Sequence, residues 1–148
     1  MREEIADLRV QIVALRAERE QLAATRIERN QLRAALAIMN RPDTRTGQVG
    51  ATNAPHARVF VNGRGGLVFI GGDLPRVPET RTLELWVVPK KGNPQAAGLF
   101  RANTAGESVH ISQIAVDPSA TKALAVSVEP RQGSSAPTTT PFLIVPIQ

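Results

Sequence analysis

The sequence of 148 residues contains no cysteine and no tyrosine, and aromatic residues make up only 3% of it. Without cysteine the chain cannot form disulfides or thiolate-ligated zinc and iron–sulfur sites. Proteins that bind single-stranded nucleic acid stack its bases on aromatic side chains, which are scarce here. We therefore predict that the protein has no metal, no cofactor and no nucleic-acid partner.

Long apolar runs and clustered charge of one sign are also missing. No apolar run approaches the ~18 residues that a membrane span needs, and no signal peptide opens the sequence. The formal net charge is +5, but the arginines of the N-terminal part alternate with acidic residues, which is typical of a solvated helix. The chain is therefore either a soluble protein or a piece of a longer one whose anchor or export signal lies elsewhere.

Residues 2 to about 39 lack glycine and proline and are rich in strong helix formers. This predicts a continuous helix on the order of 55 Å long. Its apolar residues begin in heptad register, with isoleucine at one core position and leucine at the other: Ile5, Leu8, Ile12, Leu15 and Leu22. Beyond Leu22 arginines interrupt the register. The pattern leaves two interpretations open, a self-associating coiled coil or a single amphipathic helix that lies on its own β domain or on a partner.

The chain changes character twice after the helix. Pro42 cannot continue a helix, and residues 42–56 show no apolar periodicity, which predicts an exposed linker open to proteases. From residue 57 short apolar runs alternate with turn residues, and they predict strands at 58–62, 67–70, 80–88, 95–101, 108–116, 123–128 and 142–147. The predicted fold is mainly β: a helical stalk (1–41), a linker (42–56) and an antiparallel β-sandwich of about seven strands (57–148).

The run Leu83–Val88 surrounds the only tryptophan, Trp86, and is the most apolar of the predicted strands. Leucine, tryptophan and valine suit a buried strand, and the run is too short for a buried helix. We therefore predict that it is the central strand of the sandwich and that Trp86 anchors the core.

No arrangement of residues predicts catalysis. His56 and His110 stand alone, without the spacing of metal ligands or of a base with its carboxylate, and are interpreted as surface residues. Gly63-Arg64-Gly65-Gly66 lacks the Lys and Ser/Thr of a phosphate-binding loop and is explained by a hairpin turn. The chain is therefore predicted not to be an enzyme.

Several short motifs in order along residues 57–148 resemble those of one family. They comprise a Leu-Pro step, a Leu-Trp strand, an Ala-Gly-Leu-Phe strand and a Ser-x-Glu-Pro-x-Gly-Gly-Ser-x-x-Pro-Thr turn, and the residues concerned are Leu74, Pro75, Trp86, Gly98, Glu129, Pro130, Gly133, Ser134, Pro137 and Thr138. With them the chain resembles the C-terminal extracytoplasmic domain of anti-sigma-K factors. Gln132 departs from the pattern, since it stands where the family usually has the first glycine of the pair.

The resemblance implies the extracytoplasmic, regulatory or sensory part of a single-pass anti-sigma factor, on the periplasmic side of the inner membrane. The sigma factor would bind a cytoplasmic domain, and the only membrane contact would be a transmembrane helix; both are absent from these residues. A regulatory protease is a further expected partner, and Met1 would be a start residue added to a piece of the longer protein. A second copy of the helix is a partner if the coiled-coil interpretation holds. Two other functions stay open, a stalked adhesion or surface-structural module and a sandwich that binds carbohydrate or another small ligand.

The motif residues are predicted to have mainly structural roles. Gly98 would permit close packing or a β-bulge. Glu129, at the end of a strand, would accept backbone hydrogen bonds within the long turn that follows rather than bind a signal molecule.

Overall fold

The structure is a computed structural model that describes residues 2–114 and 116–148. Met1, the predicted added start residue, and Ala115, within the predicted strand 108–116, lie outside the described residues. The described part contains one long helix, a short 3-10 turn and eight strands: α1 (Arg2–Asn40), β1 (Arg45–Val49), β2 (His56–Asn62), β3 (Gly66–Gly72), β4 (Arg81–Pro89), β5 (Gln95–Phe100), β6 (Ser108–Ser112), the turn Pro118–Ala120, β7 (Thr121–Pro130) and β8 (Leu143–Pro146).

The chain divides into two compact units, residues 1–34 and residues 35–148. In the first unit the residues from Arg2 to Arg33 are helical and exposed on every face. Within the described residues, neither α1 nor the 3-10 turn has both the length and the apolar character of a membrane span.

The second unit is built on two antiparallel sheets of four strands each, in the orders β1-β2-β3-β6 and β5-β4-β7-β8. Leu67, Phe69, Leu85 and Leu124 are among the side chains fully buried between the sheets. The predicted fold class is thus confirmed, and seven of the strands match the predicted ones to within a few residues. At the sheet edges the two layers are joined, since the backbone NH of Gln148 donates to the carbonyl of Thr46 at 3.2 Å.

The predicted linker 42–56 was wrong in its secondary structure, because it contains strand β1. Strand β1 pairs along its whole length with β2, from Arg45 opposite Val61 to Val49 opposite Ala57. It is an edge strand whose side chains are mostly polar and exposed, so it lacks the apolar alternation by which a half-buried strand is recognised. Residues 42–44 form a turn between α1 and β1, and residues 50–55 are an exposed connection between β1 and β2.

The last turns of α1 cover the outer face of the first sheet. Ala35 and Ile38 are buried there against Val68 of β3. The hydroxyl of Thr44 donates to the carbonyl of Ile38 at 2.5 Å, and the buried amide of Asn62 donates to Asp43 at 3.0 Å. The end of the helix is therefore held to the β2–β3 hairpin.

Strand β6 differs from its predicted form in length and in the side that faces inward. It ends at Ser112, where a bulge or break was predicted. His110 is not a surface residue: its ring stacks on Phe100, with centroids 5.5 Å apart, and its Nε2 lies 3.2 Å from the carbonyl oxygen of Ala97. The apolar neighbours Val109 and Ile111 lie on the opposite face of the strand, where Ile111 packs against the cluster of Ala35, Ile38 and Val68 while Val109 is 61% exposed.

Candidate functional site

The second sheet buries polar side chains on the face that points away from the inter-sheet core. Along β4, Leu83, Leu85 and Val87 enter the core, while Glu84 and Trp86 point to the opposite face. Strand β7 adds Ser127 and Glu129 to this face. These four side chains, the outer-face cluster (Glu84, Trp86, Ser127 and Glu129), are no more than 3% exposed. Trp86 is thus buried as predicted, but it anchors the outer face of the sheet and not the core between the sheets.

A chain of hydrogen bonds joins the tryptophan to Glu129. The indole Nε1 of Trp86 donates to the hydroxyl of Ser127 at 2.8 Å, and that hydroxyl donates to Oε2 of Glu129 at 2.6 Å. Thr138 completes the arrangement, since its backbone NH lies 3.0 Å and its hydroxyl 2.5 Å from Oε1 of Glu129. Glu129 therefore ties the connection 131–142, which we call the C-terminal loop, to the face of the sheet.

Glu84 holds the other end of the C-terminal loop. Its Oε1 accepts a hydrogen bond of 2.8 Å from the backbone NH of Ser134. Just before Ser134, the backbone NH of Gly133 donates to the carbonyl of Pro130 at 2.7 Å and closes a tight turn, with Gly133 at a φ of +80°. Gln132 has no such positive φ. A side chain is therefore accommodated where the family usually has glycine, and the turn closes through Gly133 alone.

The two carboxyl groups have opposite pKa shifts. Burial raises the pKa of Glu84, and the charge of Glu129 adds to that rise, against the lowering effect of the hydrogen bond from Ser134. Burial also raises the pKa of Glu129, but the hydrogen bonds from Ser127 and Thr138 outweigh it and lower its pKa to about 2. At neutral pH Glu129 is a buried carboxylate that is held by donors instead of a cation.

The structure brings half of the predicted motif residues together and separates the others. Trp86, Glu129, Gly133, Ser134 and Thr138 meet at the outer face. The remaining residues lie around or away from it: Pro130 is exposed at the start of the turn, Pro137 is half-buried in the C-terminal loop, Gly98 lies on β5, and Leu74 and Pro75 lie between β3 and β4. Leu74 is part of the inter-sheet core.

Gly98 stands at an irregularity in the pairing of β4 with β5. Leu85 pairs with Gly98 and Trp86 with Ala96, so Ala97 is an extra residue. Gly98 has a φ of +136°, and a Cβ there would lie 2.3 Å from Nε2 of His110. Glycine is required at this position by both the backbone angle and the close approach of the imidazole.

Comparison with known proteins identifies the family of the chain. The family model described as "Anti-sigma-K factor rskA, C-terminal" matches residues 7–142. The chain belongs to the anti-sigma-K factor C-terminal family. A search of curated proteins and a search of solved structures gave no match. The matched range of this anti-sigma-K domain includes most of α1, strands β1 to β7 and the C-terminal loop, and it ends just before β8.

Two residues that organise the anti-sigma-K domain were missed as site residues, Glu84 and Ser127. Glu84 is the one charge in the tryptophan strand, and it shares a strand face with Trp86 because the two are separated by one residue. Ser127 has the same relation to Glu129. The alternation of side chains along β4 and β7 could have shown that these residues share a face with Trp86 and Glu129. It does not reveal that the C-terminal loop, distant in sequence, covers that face.

The polar side chains of the site are engaged in hydrogen bonds that hold the C-terminal loop in place. Among the described residues no buried side-chain nitrogen or oxygen lacks a hydrogen-bond partner, and no group of three or more His, Asp or Glu side chains could hold a metal ion. An open cleft of about 710 Å³ elsewhere on the anti-sigma-K domain is lined by His56, Arg58, Asp73 and Glu107, and Nδ1 of His56 lies 3.8 Å from Oδ2 of Asp73. Such an exposed pair of side chains is weakly organised.

Proposed function

We propose that this chain is the extracytoplasmic regulatory domain of a membrane-anchored anti-sigma factor. The observation that carries the proposal is the family match over residues 7–142, which includes most of the helix and seven of the eight strands. In the longer protein a cytoplasmic segment sequesters an alternative sigma factor, and the domain described above controls its release through protein contacts.

The geometry of the outer face supports a regulatory role over a catalytic one. Its carboxylates are used to fix the C-terminal loop, and its side chains are buried under that loop. A firmly held loop on a sandwich presents a constant surface to other proteins. Regulation then depends on which protein contacts that surface or on whether the helical segment is cut.

Release of the sigma factor by proteolysis is part of the proposal. Residues 50–55 form an exposed connection between β1 and β2, whereas residues 45–49 are protected by their pairing with β2. A protease that acts on the folded sandwich would therefore cut at 50–55 before 45–49. The helix of residues 2–34, exposed along its length, offers a second region for a cut after local unfolding.

Membrane topology is tested with the full-length gene. Alkaline phosphatase, which is active only outside the cytoplasm, is fused after Gln148, and a cytoplasmic reporter is fused at the same position as the control. We expect phosphatase activity and no cytoplasmic reporter activity. The reverse pattern would place the domain in the cytoplasm and refute the proposal.

Regulation is tested separately by deleting residues 43–148 from the full-length gene. The sigma factor that co-purifies with the full-length protein is identified first, and then a transcriptional reporter of that sigma factor and its amount on membranes are measured in both strains. We expect the deletion to change the reporter output. A response identical to that of the intact gene would show that the sandwich has no part in regulation.

A further inference from the structure

We propose that residues 4–22 of α1 form a parallel, two-stranded coiled coil with a second copy of this chain. The isoleucine and leucine side chains of this segment have no partner in the described part of the chain: Leu8 is 57% exposed, Ile12 46% and Leu22 59%. Residues 2–34 form a unit of their own. Most of the stability of a helix in a protein comes from packing of its apolar face, so pairing of the stripe is the expected source of stability for this segment.

The identity of the core residues indicates two strands. Ile5 and Ile12 occupy the a positions of the first heptads, and Leu8, Leu15 and Leu22 occupy the d positions. Isoleucine at a with leucine at d favours parallel dimers over trimers and tetramers. Arg19 occupies the next a position, and a single charged residue at a lowers stability while it specifies register and number of strands.

The charges beside the core indicate the parallel orientation. In a parallel dimer each g residue lies near the e residue of the following heptad on the other helix. Glu4 (g) of one copy therefore lies beside Arg9 (e) of the second copy, and the two-fold symmetry of the dimer gives two such pairs. Glu18, at g, lies next to Arg19 of the second copy. Each acidic side chain of the flanks thus has a basic neighbour on the other helix.

The antiparallel alternative brings like charges together. If Ile12 of one helix packs beside Leu15 of the other, the e positions face each other, and Arg9 of each copy lies opposite Arg16 of the second copy. The same alignment places Arg19 across from Leu8 in the core. The opposed arginines disfavour antiparallel pairing. The core position of Arg19 does not decide the orientation, because in the parallel alignment Arg19 faces Arg19 of the second copy, beside Glu18.

The coiled coil ends soon after Leu22. Arg26 and Arg29 take the next a and d positions, and no apolar residue replaces them in the seam. With fewer than three apolar heptads and one arginine within the core, the association is weak and depends on protein concentration. The inference goes beyond the proposed function and does not depend on it, since the helix can pair whatever the sandwich regulates.

The oligomeric state is measured by sedimentation equilibrium of the 148-residue chain over a wide range of concentrations. We expect a monomer–dimer equilibrium. Glu4→Arg places two arginines side by side at both symmetric positions and is expected to weaken the dimer by about tenfold or more. The double variant Glu4→Arg/Arg9→Glu restores the opposite charges and should recover the dimer, whereas Glu3→Arg, with the same charge change on the outward f position, should have little effect.

The relative orientation of the two helices is determined from disulfide formation. Because the native sequence has no cysteine, every disulfide formed involves an introduced cysteine. Leu8→Cys places two thiols at one d layer of a parallel dimer, where they are close enough to bond. In the antiparallel alignment the two thiols would be on the order of 16 Å apart. Val10→Cys, at the outward f position, is the control. We expect rapid cross-linking of the Leu8 variant into dimers and slow cross-linking of the Val10 variant.

Three results would overturn the inference. A monomer at all concentrations would show that the stripe does not pair, and a trimer or tetramer would contradict the two-stranded core. Equal rates of cross-linking for the Leu8 and Val10 variants would refute the parallel register. None of these results would bear on the membrane topology or the reporter output that test the proposed function.

Discussion

At the scale of single residues, Glu129 and Glu84 are two buried carboxyl groups on one sheet face with different effects on stability. Glu129 accepts hydrogen bonds from the hydroxyl of Ser127 and from both polar groups of Thr138. Glu84 accepts one, from the backbone NH of Ser134. The difference in the number of donors explains why the pKa of Glu129 is lowered while that of Glu84 is raised.

The pH dependence of stability follows from these shifts. The pKa of Glu129 falls from its ordinary value of 4.5 to about 2 on folding. Its contribution is therefore present above pH 4.5 and is lost as the pH falls toward 2, by about 3 kcal/mol in total. From urea unfolding, we expect the free energy of unfolding of Glu129→Gln to be lower than that of the wild type at pH 7 and to approach it near pH 2. The pKa values of Asp43 and Asp117 are also lowered, by the hydrogen bonds from Asn62 and Ser119. These groups titrate in both proteins, so the effect of Glu129 is obtained from the difference in free energy of unfolding between wild type and variant.

Glu84→Gln is the variant matched to Glu129→Gln, and unlike Glu129→Gln it is not expected to lower the free energy of unfolding at pH 7. Because the folded pKa of Glu84 is raised, folding favours its protonated form, and ionisation above its ordinary pKa lowers the free energy of unfolding. Glutamine keeps an acceptor for Ser134 and carries no charge. At pH 7 this variant should therefore be at least as stable as the wild type. An equal loss of stability in both variants would show that the two carboxylates contribute alike.

Ser127→Ala tests the hydrogen-bond chain itself. It leaves the buried indole NH of Trp86 without an acceptor and removes a donor from Glu129, which should lower the free energy of unfolding by about 1–3 kcal/mol. Ser135→Ala, at an exposed position of the C-terminal loop, is the control and should change it by less than about 0.5 kcal/mol. Both are measured by the fluorescence of Trp86 during urea unfolding.

At the scale of elements, the irregular pairing of β4 with β5 brings the edge of the second sheet toward β6. The carbonyl of Ala97, the extra residue, lies beside Nε2 of His110, and the ring of His110 stacks on Phe100. A polar ring and a carbonyl thus join two sheet edges that would otherwise carry unpaired groups.

Gly98→Ala should disturb this junction. The new Cβ would meet the His110 ring at 2.3 Å and would also strain a backbone with a φ of +136°. Gly92→Ala separates the two effects, because Gly92 has a φ of +103° but its nearest neighbour would be 3.9 Å away. We expect Gly92→Ala to cost about 1 kcal/mol from strain alone and Gly98→Ala about 2 kcal/mol or more, as measured by thermal unfolding. Equal costs would indicate that the imidazole moves aside freely.

The end of α1 is an element of the sandwich. Ala35 and Ile38 cover Val68, and Thr44 bonds to the carbonyl of Ile38. A chain of residues 35–148 should therefore keep the stability of the full-length sandwich, while a chain of residues 43–148 should lose about 2 kcal/mol or more, from exposure of Val68 and the loss of the buried isoleucine. Urea unfolding followed by Trp86 fluorescence compares them. Equal stability of the two chains would show that the helix end contributes nothing.

At the scale of the whole molecule, two units of different character share one chain. Residues 2–34 of the first unit are helical with their apolar side chains in water, whereas the second unit has its own core and its own polar network. Stability is therefore not uniform along the chain.

Separate unfolding of the two units is the prediction at this scale. Trp86 is the only tryptophan and the chain has no tyrosine, so its fluorescence reports on the sandwich alone. Circular dichroism at the helix band reports mainly on α1. We expect the helix signal to be lost at lower temperature than the tryptophan signal, and the early transition to be absent from a chain of residues 35–148. Coincident transitions of the full chain would instead indicate one cooperative unit.

Sequence periodicity was enough to predict the class of nearly every element. The helix ends at Asn40, directly before the Arg41-Pro42 step that a helix cannot continue, and seven strands lie where period-two alternation and turn residues placed them. The order of the family motifs was also visible, and the family is confirmed by the match over residues 7–142. These features depend on neighbours within a few residues of each other, so a linear pattern contains them.

The tertiary structure decided which faces are covered. Alternation shows that Glu84 and Trp86 share one face of β4 and that Leu83 and Leu85 share the other, but both faces of β4 are buried. The choice of core depends on the C-terminal loop, which reaches Glu84 from 50 residues away along the chain. Strand β1 was missed for the same physical reason, because a polar edge strand is defined by the backbone hydrogen bonds of its partner and not by the side chains of its own sequence.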